Sequence, residues 1–304
     1  MSTARLLAFV LAGGEGRRLR PLTEDRAKPA VDLGQGYRIV DCVLANLVNS
    51  GVRWIYVLVQ YKPGPLLEHL ARTWRPELAR RGCRLVALTA PPDTPGFRGT
   101  ADAVRRNLHL LAEHEPDAVA VFAADHVYRM DLRPMTDFHR AHDADVTVAA
   151  RPVAIDEARA FGVIRADAAG RITEFQEKPA RPAPMRHRPQ HAFASMGNYL
   201  FEPVALVDLL EDAAARGGFD FGHDVLPHAV ESGARVFAYD FTSQRIPGLK
   251  PYEEPAYWRD VGTVQALAAA RRDLEGPRPR FDPDNPAWPL RPRETSRAAL
   301  VEPG

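Results

Sequence analysis

Short, unbroken apolar runs alternate with segments of helical spacing through the first half of the chain. Residues 6–11, LLAFVL, carry no polar position and lead into Gly13-Gly14, the pattern of a strand buried on both faces. Residues 40–50 place Val43, Leu44, Leu47 and Val48 on one helical face, and Gly51 stops the run. The same reading predicts strands at 54–59, 84–89, 118–123 and 146–150. It predicts helices at 66–73 and 101–114, and another that closes over 137–142. This alternation implies an α/β fold with a mostly parallel, Rossmann-like sheet sandwiched by helices. Such sheets bind ligands beyond the carboxyl ends of their strands, so the loops after Leu11, Thr89 and Ala123 are expected to share one crevice.

From about residue 151 the texture changes. Residues 162–165 and 172–177 read as strands of a small, partly antiparallel subregion, and 179–189 is a proline-rich loop. Strands are expected at 193–201 and 235–241, and helices at 206–214, 224–232 and 263–275, the last stopped by Gly276. The expected division is one domain over 1–276 and a proline-rich tail over 277–304, which carries seven prolines and little apolar periodicity. No internal repeat is visible.

Composition narrows the function classes. The 304 residues carry a formal net charge of +1, which offers no global field for nucleic acid or an anionic membrane. Two cysteines are too few for a disulfide framework, so a reducing cytoplasm is the expected compartment. No charged-then-apolar leader precedes residue 6, and no run approaches the length of a membrane span. Lysine is confined to Lys28, Lys62, Lys178 and Lys250, so each invites a question about its use.

Five stretches carry candidate chemistry. The first, after the opening strand, holds Gly13, Gly14, Gly16, Arg18, Leu19, Pro21, Leu22, Thr23, Lys28 and Pro29. Glycines there let backbone N–H groups approach a phosphate, and the cations follow. The lysine–hydroxyl pair of a P-loop is absent, and Leu19 stands where a dinucleotide fingerprint needs its third glycine. The second, FAADHVYRMD, brings Asp125 to a strand end, where a carboxylate suits Mg²⁺ beside phosphates. The third, EFQEKPA, ends in Glu177-Lys178, a pair suited to sugar hydroxyls and a phosphate. The fourth, SMGNYLF, opens a strand at Ser195 with room for a ligand. The fifth, YWRDVGT, offers Asp260 as a second carboxylate. Taken singly, each has a plainer reading as a turn, helix cap, strand start or surface ion pair. Histidines do not gather at metal-ligand spacing.

In this order the five stretches resemble the bacterial ADP-glucose pyrophosphorylase (glucose-1-phosphate adenylyltransferase) family, from about residue 6 to 292. The resemblance also rests on RAKPAVDLGQGYRIVD (26–41), RGTADAV (98–104) and FGVI (161–164). It implies a GT-A-like sugar nucleotidyltransferase fold in the cytoplasm. The implied reaction takes ATP and glucose 1-phosphate to ADP-glucose and pyrophosphate, for glycogen synthesis. By resemblance, Arg18 and Lys28 contact the triphosphate and its leaving pyrophosphate. Asp125 and Asp260 hold catalytic Mg²⁺. Leu11, Ala12, Gly13, Gly14 and Gly16 line the nucleotide, with Gly99, Thr100 and Asp102 near the nucleoside. Phe97, Gly162, Glu177, Lys178 and Ser195 surround the sugar phosphate, and Arg26 and Arg38 match effector-site arginines.

The chain also departs from that pattern. Arg17 stands where a small hydroxyl residue is usual, and Glu15 where arginine is frequent. Phe97 replaces a tyrosine and Gly96 a tryptophan, while Asp25 and Asp32 stand at activator-site positions. The hexapeptide repeats of the family's C-terminal β-helix are not seen. A homo-oligomer, or a partner subunit that supplies the missing domain, is therefore an expectation to weigh. Two other functions stay open at this point: a relative that uses UTP or dTTP, and a catalytically weak regulatory subunit.

Overall fold

Residues Leu6–Leu11 form the predicted strand and sit near the middle of a nine-stranded sheet. The structure is a computed structural model that describes residues 4–91 and 94–290. Leu6–Leu11 runs parallel to Trp54–Val59 on one side and to Ala118–Ala123 on the other, and Arg84–Thr89 extends the parallel block. His191–Phe201 then runs antiparallel to Ala118–Ala123, Val146–Ala154 and Gly162–Ala166. Gly162–Ala166 pairs antiparallel with Ile172–Glu177, and Val236–Asp240 pairs parallel with Val146–Ala154. This is the expected α/β architecture, with the antiparallel strands in the second half.

The unbroken apolar run is explained by burial on two faces. Ala8 and Val10 join one core with Val43, Leu44 and Leu47 of the helix Ile39–Asn49. Leu7 and Phe9 join the other with Val104, Leu206, Leu210 and Phe221. Each such large side chain contributes about 1.5–3 kcal/mol on burial. The Ile39–Asn49 helix is locked by Asp41, fully buried, whose carboxylate accepts from Arg38 N–H at 2.8 Å, His69 Nε2 at 2.6 Å and Trp74 Nε1 at 2.7 Å.

Several boundaries differ from expectation, each for a local reason. The segment 101–114 is two helices, Thr100–Arg105 and His109–His114. Asn107 Nδ2 takes the Ala103 carbonyl at 2.8 Å, so its own N–H turns to Val104 O at 2.9 Å and the ladder breaks. The helix predicted at 66–73 instead runs from Gly64 to Arg80, passing Pro76 through a widened π turn at Leu70–Trp74. A second π turn, Phe221–Val225, precedes Leu226–Glu231 next to Pro227. A two-stranded antiparallel sheet, His126–Tyr128 with Trp258–Asp260, was not anticipated at all.

The described part of the tail packs onto the domain. Phe281, Trp288 and Leu290 are buried, and Arg129, itself buried, is ion-paired with Glu253 at 2.7 Å and stacked over Phe281 at 4.3 Å. Trp288 Nε1 reaches Asn46 Oδ1 at 3.3 Å. Residues 291–304 lie outside the described residues. Among the described residues no helix is long and apolar enough to cross a membrane.

Candidate active site

The loops after Leu11, Thr89 and Ala123 do share a crevice. A cavity of about 540 Å³ at the carboxyl ends of the parallel strands is lined by Leu11, Gly13, Gly14, Gly16, Arg18 and Lys28. Phe97, Gly99, Thr100 and Asp125 complete the predicted part of its wall. A cleft of this size and position suits a nucleotide.

The glycine loop folds back over Lys28. Gly16 has φ 65°, and a Cβ there would lie 2.9 Å from Lys28 Cβ and 3.2 Å from Thr23 Cγ2, so only glycine lets the loop close. Thr23 Oγ1 donates to Gly16 O at 2.9 Å and Lys28 N–H to Gly14 O at 3.4 Å. The lysine is thereby held with its side chain only 7% exposed.

Lys28 reaches both predicted carboxylates. Its Nζ lies 3.2 Å from Asp125 Oδ2 and 3.5 Å from Asp260 Oδ1. His126 closes the other side, with Nδ1 3.5 Å from Asp125 Oδ1 and Nε2 4.0 Å from Asp260 Oδ1. Desolvation pushes the Asp125 carboxyl up, but His126 and Lys28 outweigh it and hold the group well below the usual carboxylate range. Arg18 approaches the same point: a Cβ on Gly262 would lie 2.9 Å from Arg18 Nη2 and 3.1 Å from each Asp260 oxygen. Asp125 on the cavity wall, with Asp260 joined to it through Lys28, fits Mg²⁺, which is commonly held by one or two carboxylates plus phosphate oxygens. Among the described residues no group of three or more His, Cys, Asp or Glu could hold a metal without such help.

The residues expected around the sugar form an adjoining cluster. Glu177 pairs with Lys178 Nζ, and its Oε2 would lie 3.1 Å from a Cβ on Gly162 and 2.6 Å from one on Gly222. Ser195 Oγ accepts from Gly197 N–H at 3.2 Å. The cluster meets the cavity through residues 220–222, because Asp220 lines the cavity wall. Ala12, next to the cavity-lining Leu11 and Gly13, is buried beneath the loop.

One expected nucleoside contact is misplaced. The Asp102 side chain is fully buried and accepts from Arg98 N–H at 3.0 Å, with Arg106 Nε also at 3.0 Å, so it braces the 98–106 turn and does not line the cavity. Asp220 takes the cavity position instead, accepting from Thr100 Oγ1 and Gly222 N–H at 2.9 Å each. Leu58, Gln60 and Ala103 also line the cavity and went unread in the sequence. Gln60 Oε1 accepts from Phe97 N–H at 2.5 Å, tying the two walls together. A lone glutamine after a buried strand carries no pattern that would mark it.

The unusual Glu15 and Arg17 pair with each other. Arg17 Nε lies 2.5 Å and Arg20 Nη2 3.0 Å from the Glu15 carboxylate, and the hydrogen bond from Arg17 holds that carboxyl below its ordinary value. Of the two expected effector arginines, Arg26 is ion-paired to Asp25 at 2.8 Å, and Arg38 Nη1 donates to Pro65 O at 2.6 Å.

The chain matches the Nucleotidyl transferase family over residues 7–276. It is 49% identical over 292 residues to a "Glucose-1-phosphate adenylyltransferase" of Thermodesulfovibrio yellowstonii, covering 95% of this chain and 71% of that protein. A protein of the same name from Thermus thermophilus is 49% identical over 301 residues, covering 96% and 72%. Another, from Deinococcus deserti, is 44% identical over 295 residues, covering 94% and 71%. With the family match running over residues 7–276 and about half of its residues identical to these relatives, the chain belongs to the nucleotidyl transferase family.

Proposed function

We propose that the chain transfers an adenylyl group from ATP to glucose 1-phosphate, releasing pyrophosphate and ADP-glucose. The observation that carries this reading is the meeting of Lys28 with Asp125 and Asp260 at the mouth of the glycine loop. The choice of ATP and glucose 1-phosphate draws on the name shared by the relatives.

In this reading a phosphate oxygen of glucose 1-phosphate attacks the α-phosphorus of ATP. A new P–O bond forms, the α–β bond breaks, and pyrophosphate leaves with the electron pair. The nucleophile is already an anion, so no general base is required. The obstacle is repulsion between two anions, and catalysis rests on positioning and neutralisation. Arg18 and Lys28 would take charge from the leaving pyrophosphate. Gly13, Gly14 and Gly16 would present backbone to the phosphates, and Gly99, Thr100 and Asp220 would wall the nucleoside. Glu177, Lys178, Gly162 and Ser195 would hold the sugar phosphate. Asp125 and Asp260 would hold Mg²⁺, which when bound neutralises charge on the reacting phosphates. The proposed catalytic body is residues 1–276.

The test is pyrophosphate release from the purified protein with glucose 1-phosphate and Mg²⁺, comparing ATP, UTP and dTTP. Turnover that favours ATP is expected. Turnover with UTP or dTTP alone would keep the transfer and overturn the donor. No turnover with any of the three, despite ATP binding, would overturn the reading of an active enzyme.

A further inference from the structure

Lys28 stands against the same two carboxylates that the proposed function gives to Mg²⁺. Its Nζ is shared between Asp125 Oδ2 at 3.2 Å and Asp260 Oδ1 at 3.5 Å. The stem has little freedom, because Gly16 closes over it and Pro29 and Ala30 beside it are buried. The ammonium, on a side chain only 7% exposed, and a divalent cation would be like charges beside one pair of partly exposed acids. Like charges a few ångströms apart repel, and the burial of Lys28 lessens the screening on its side. His126 offers no counter-charge, since its ring nitrogens face the same two carboxylates. Lys28 also lines the cavity, together with Gly13, Gly14 and Arg18. That is where the phosphates of a nucleotide would lie.

We propose that Lys28 competes with the divalent cation for the Asp125–Asp260 pair, so that the cation is admitted together with the nucleotide's phosphates and not ahead of them. The phosphates draw the ammonium toward the glycine loop, and the carboxylates become available to the cation they arrive with. Lysine then has two uses at one position: it neutralises the acids before the substrate binds, and it neutralises the phosphates afterwards. The proposal rests on the reading that Asp125 and Asp260 form the cation site.

The experiment is a nucleotide-free Mn²⁺ titration of the full chain, with free Mn²⁺ read by electron paramagnetic resonance. Lys28→Met is expected to bind Mn²⁺ at least about tenfold more tightly than wild type, because a like charge is removed while length is kept. Lys28→Arg, which keeps the charge, is expected to remain as weak as wild type. The gain should vanish in Lys28→Met combined with Asp125→Asn. Should Lys28→Met misfold by circular dichroism, Lys28→Gln replaces it with the same expectation. Wild type binding Mn²⁺ as tightly as Lys28→Met, with both weakened by Asp125→Asn, would overturn the competition and leave the cation site standing. Mn²⁺ binding indifferent to Asp125 in every background, with ATP present or absent, would overturn the cation site itself.

Discussion

Asp260 lies directly opposite His126 in the short sheet His126–Tyr128/Trp258–Asp260, so the second carboxylate is registered against the neighbour of the first. A backbone ladder thus sets the distance between two acids that are remote in sequence. The His126 ring packs on Trp258 at 5.1 Å, which stiffens the arrangement. Asp125→Asn and Asp260→Asn should each lower turnover about a thousandfold or more, because the charge that opposes phosphate repulsion is lost. Pyrophosphate release measures this, with circular dichroism to confirm the fold. A variant that keeps more than about a tenth of the wild-type rate removes that carboxylate from the chemistry.

Gly162→Ala should disturb the sugar side of the cleft and spare the nucleotide side. The added Cβ would lie 2.5 Å from Phe175 Cζ and 3.1 Å from Glu177 Oε2, too close for either to stay in place. Overpacking of this kind costs about 1–3 kcal/mol. The expected kinetic result is a raised KM for glucose 1-phosphate with the KM for ATP unchanged. If both constants move together, Glu177 does not face the sugar.

Glu15 restrains Arg17 and Arg20 beside the phosphate loop. Both ion pairs are solvent-exposed, with the Arg17 side chain 80% exposed, so they add little stability and can exchange partners readily. Glu15→Gln should release Arg17, which lines the cavity, toward the phosphates. The KM for ATP should fall about two- to fivefold at low salt, with the gain fading as salt is added. An unchanged or higher KM would show that Arg17 does not serve the nucleotide.

What could be read from the sequence followed the strength of local patterns. Leu6–Leu11 was legible because every position is apolar and both faces are covered. Lys28, Asp125 and Asp260 were legible as members of short motifs, and they meet in space. The sheet that joins His126 to Asp260 was not, since three-residue strands are too short to show a period and their pairing is remote. Asp102 and Asp220 show the limit for single residues. Both are acids near Thr100, and only the fold tells that one braces a turn while the other lines the cleft. Asn107 broke a good helical pattern through one side-chain hydrogen bond that propensity does not anticipate.

Glu253 should matter for stability far more than for chemistry. It is fully buried and accepts from Arg129 Nη1 at 2.7 Å and from the N–H groups of Lys250 and Asp282 at 2.9 Å each. The two N–H contacts hold residues 250–282 together, and the Arg129 contact fastens them to the end of the strand His126–Tyr128. Glu253→Ala leaves the buried Arg129 guanidinium without its counter-ion, which should cost about 3–5 kcal/mol. Equilibrium denaturation checks the loss, and a change under about 1 kcal/mol would mean that water replaces the carboxylate.

His139 should give the fold a dependence on mildly acid pH. The residue is 5% exposed and its Nδ1 lies 2.8 Å from Thr147 Oγ1. Burial lowers its pKa from 6.5 to about 4. The folded chain therefore takes up this proton less readily than the unfolded chain does. Its contribution is intact above pH 6.5, falls as the pH drops from there to about 4, and levels off below. The loss reaches about 3 kcal/mol at most, at 1.36 kcal/mol for each pKa unit. Urea denaturation of wild type and His139→Gln across that range isolates the effect from other titrating groups. The difference between the two stabilities should shrink as the solution is acidified. A difference that stays constant with pH would mean that the ring is protonated in the fold as easily as in the unfolded chain.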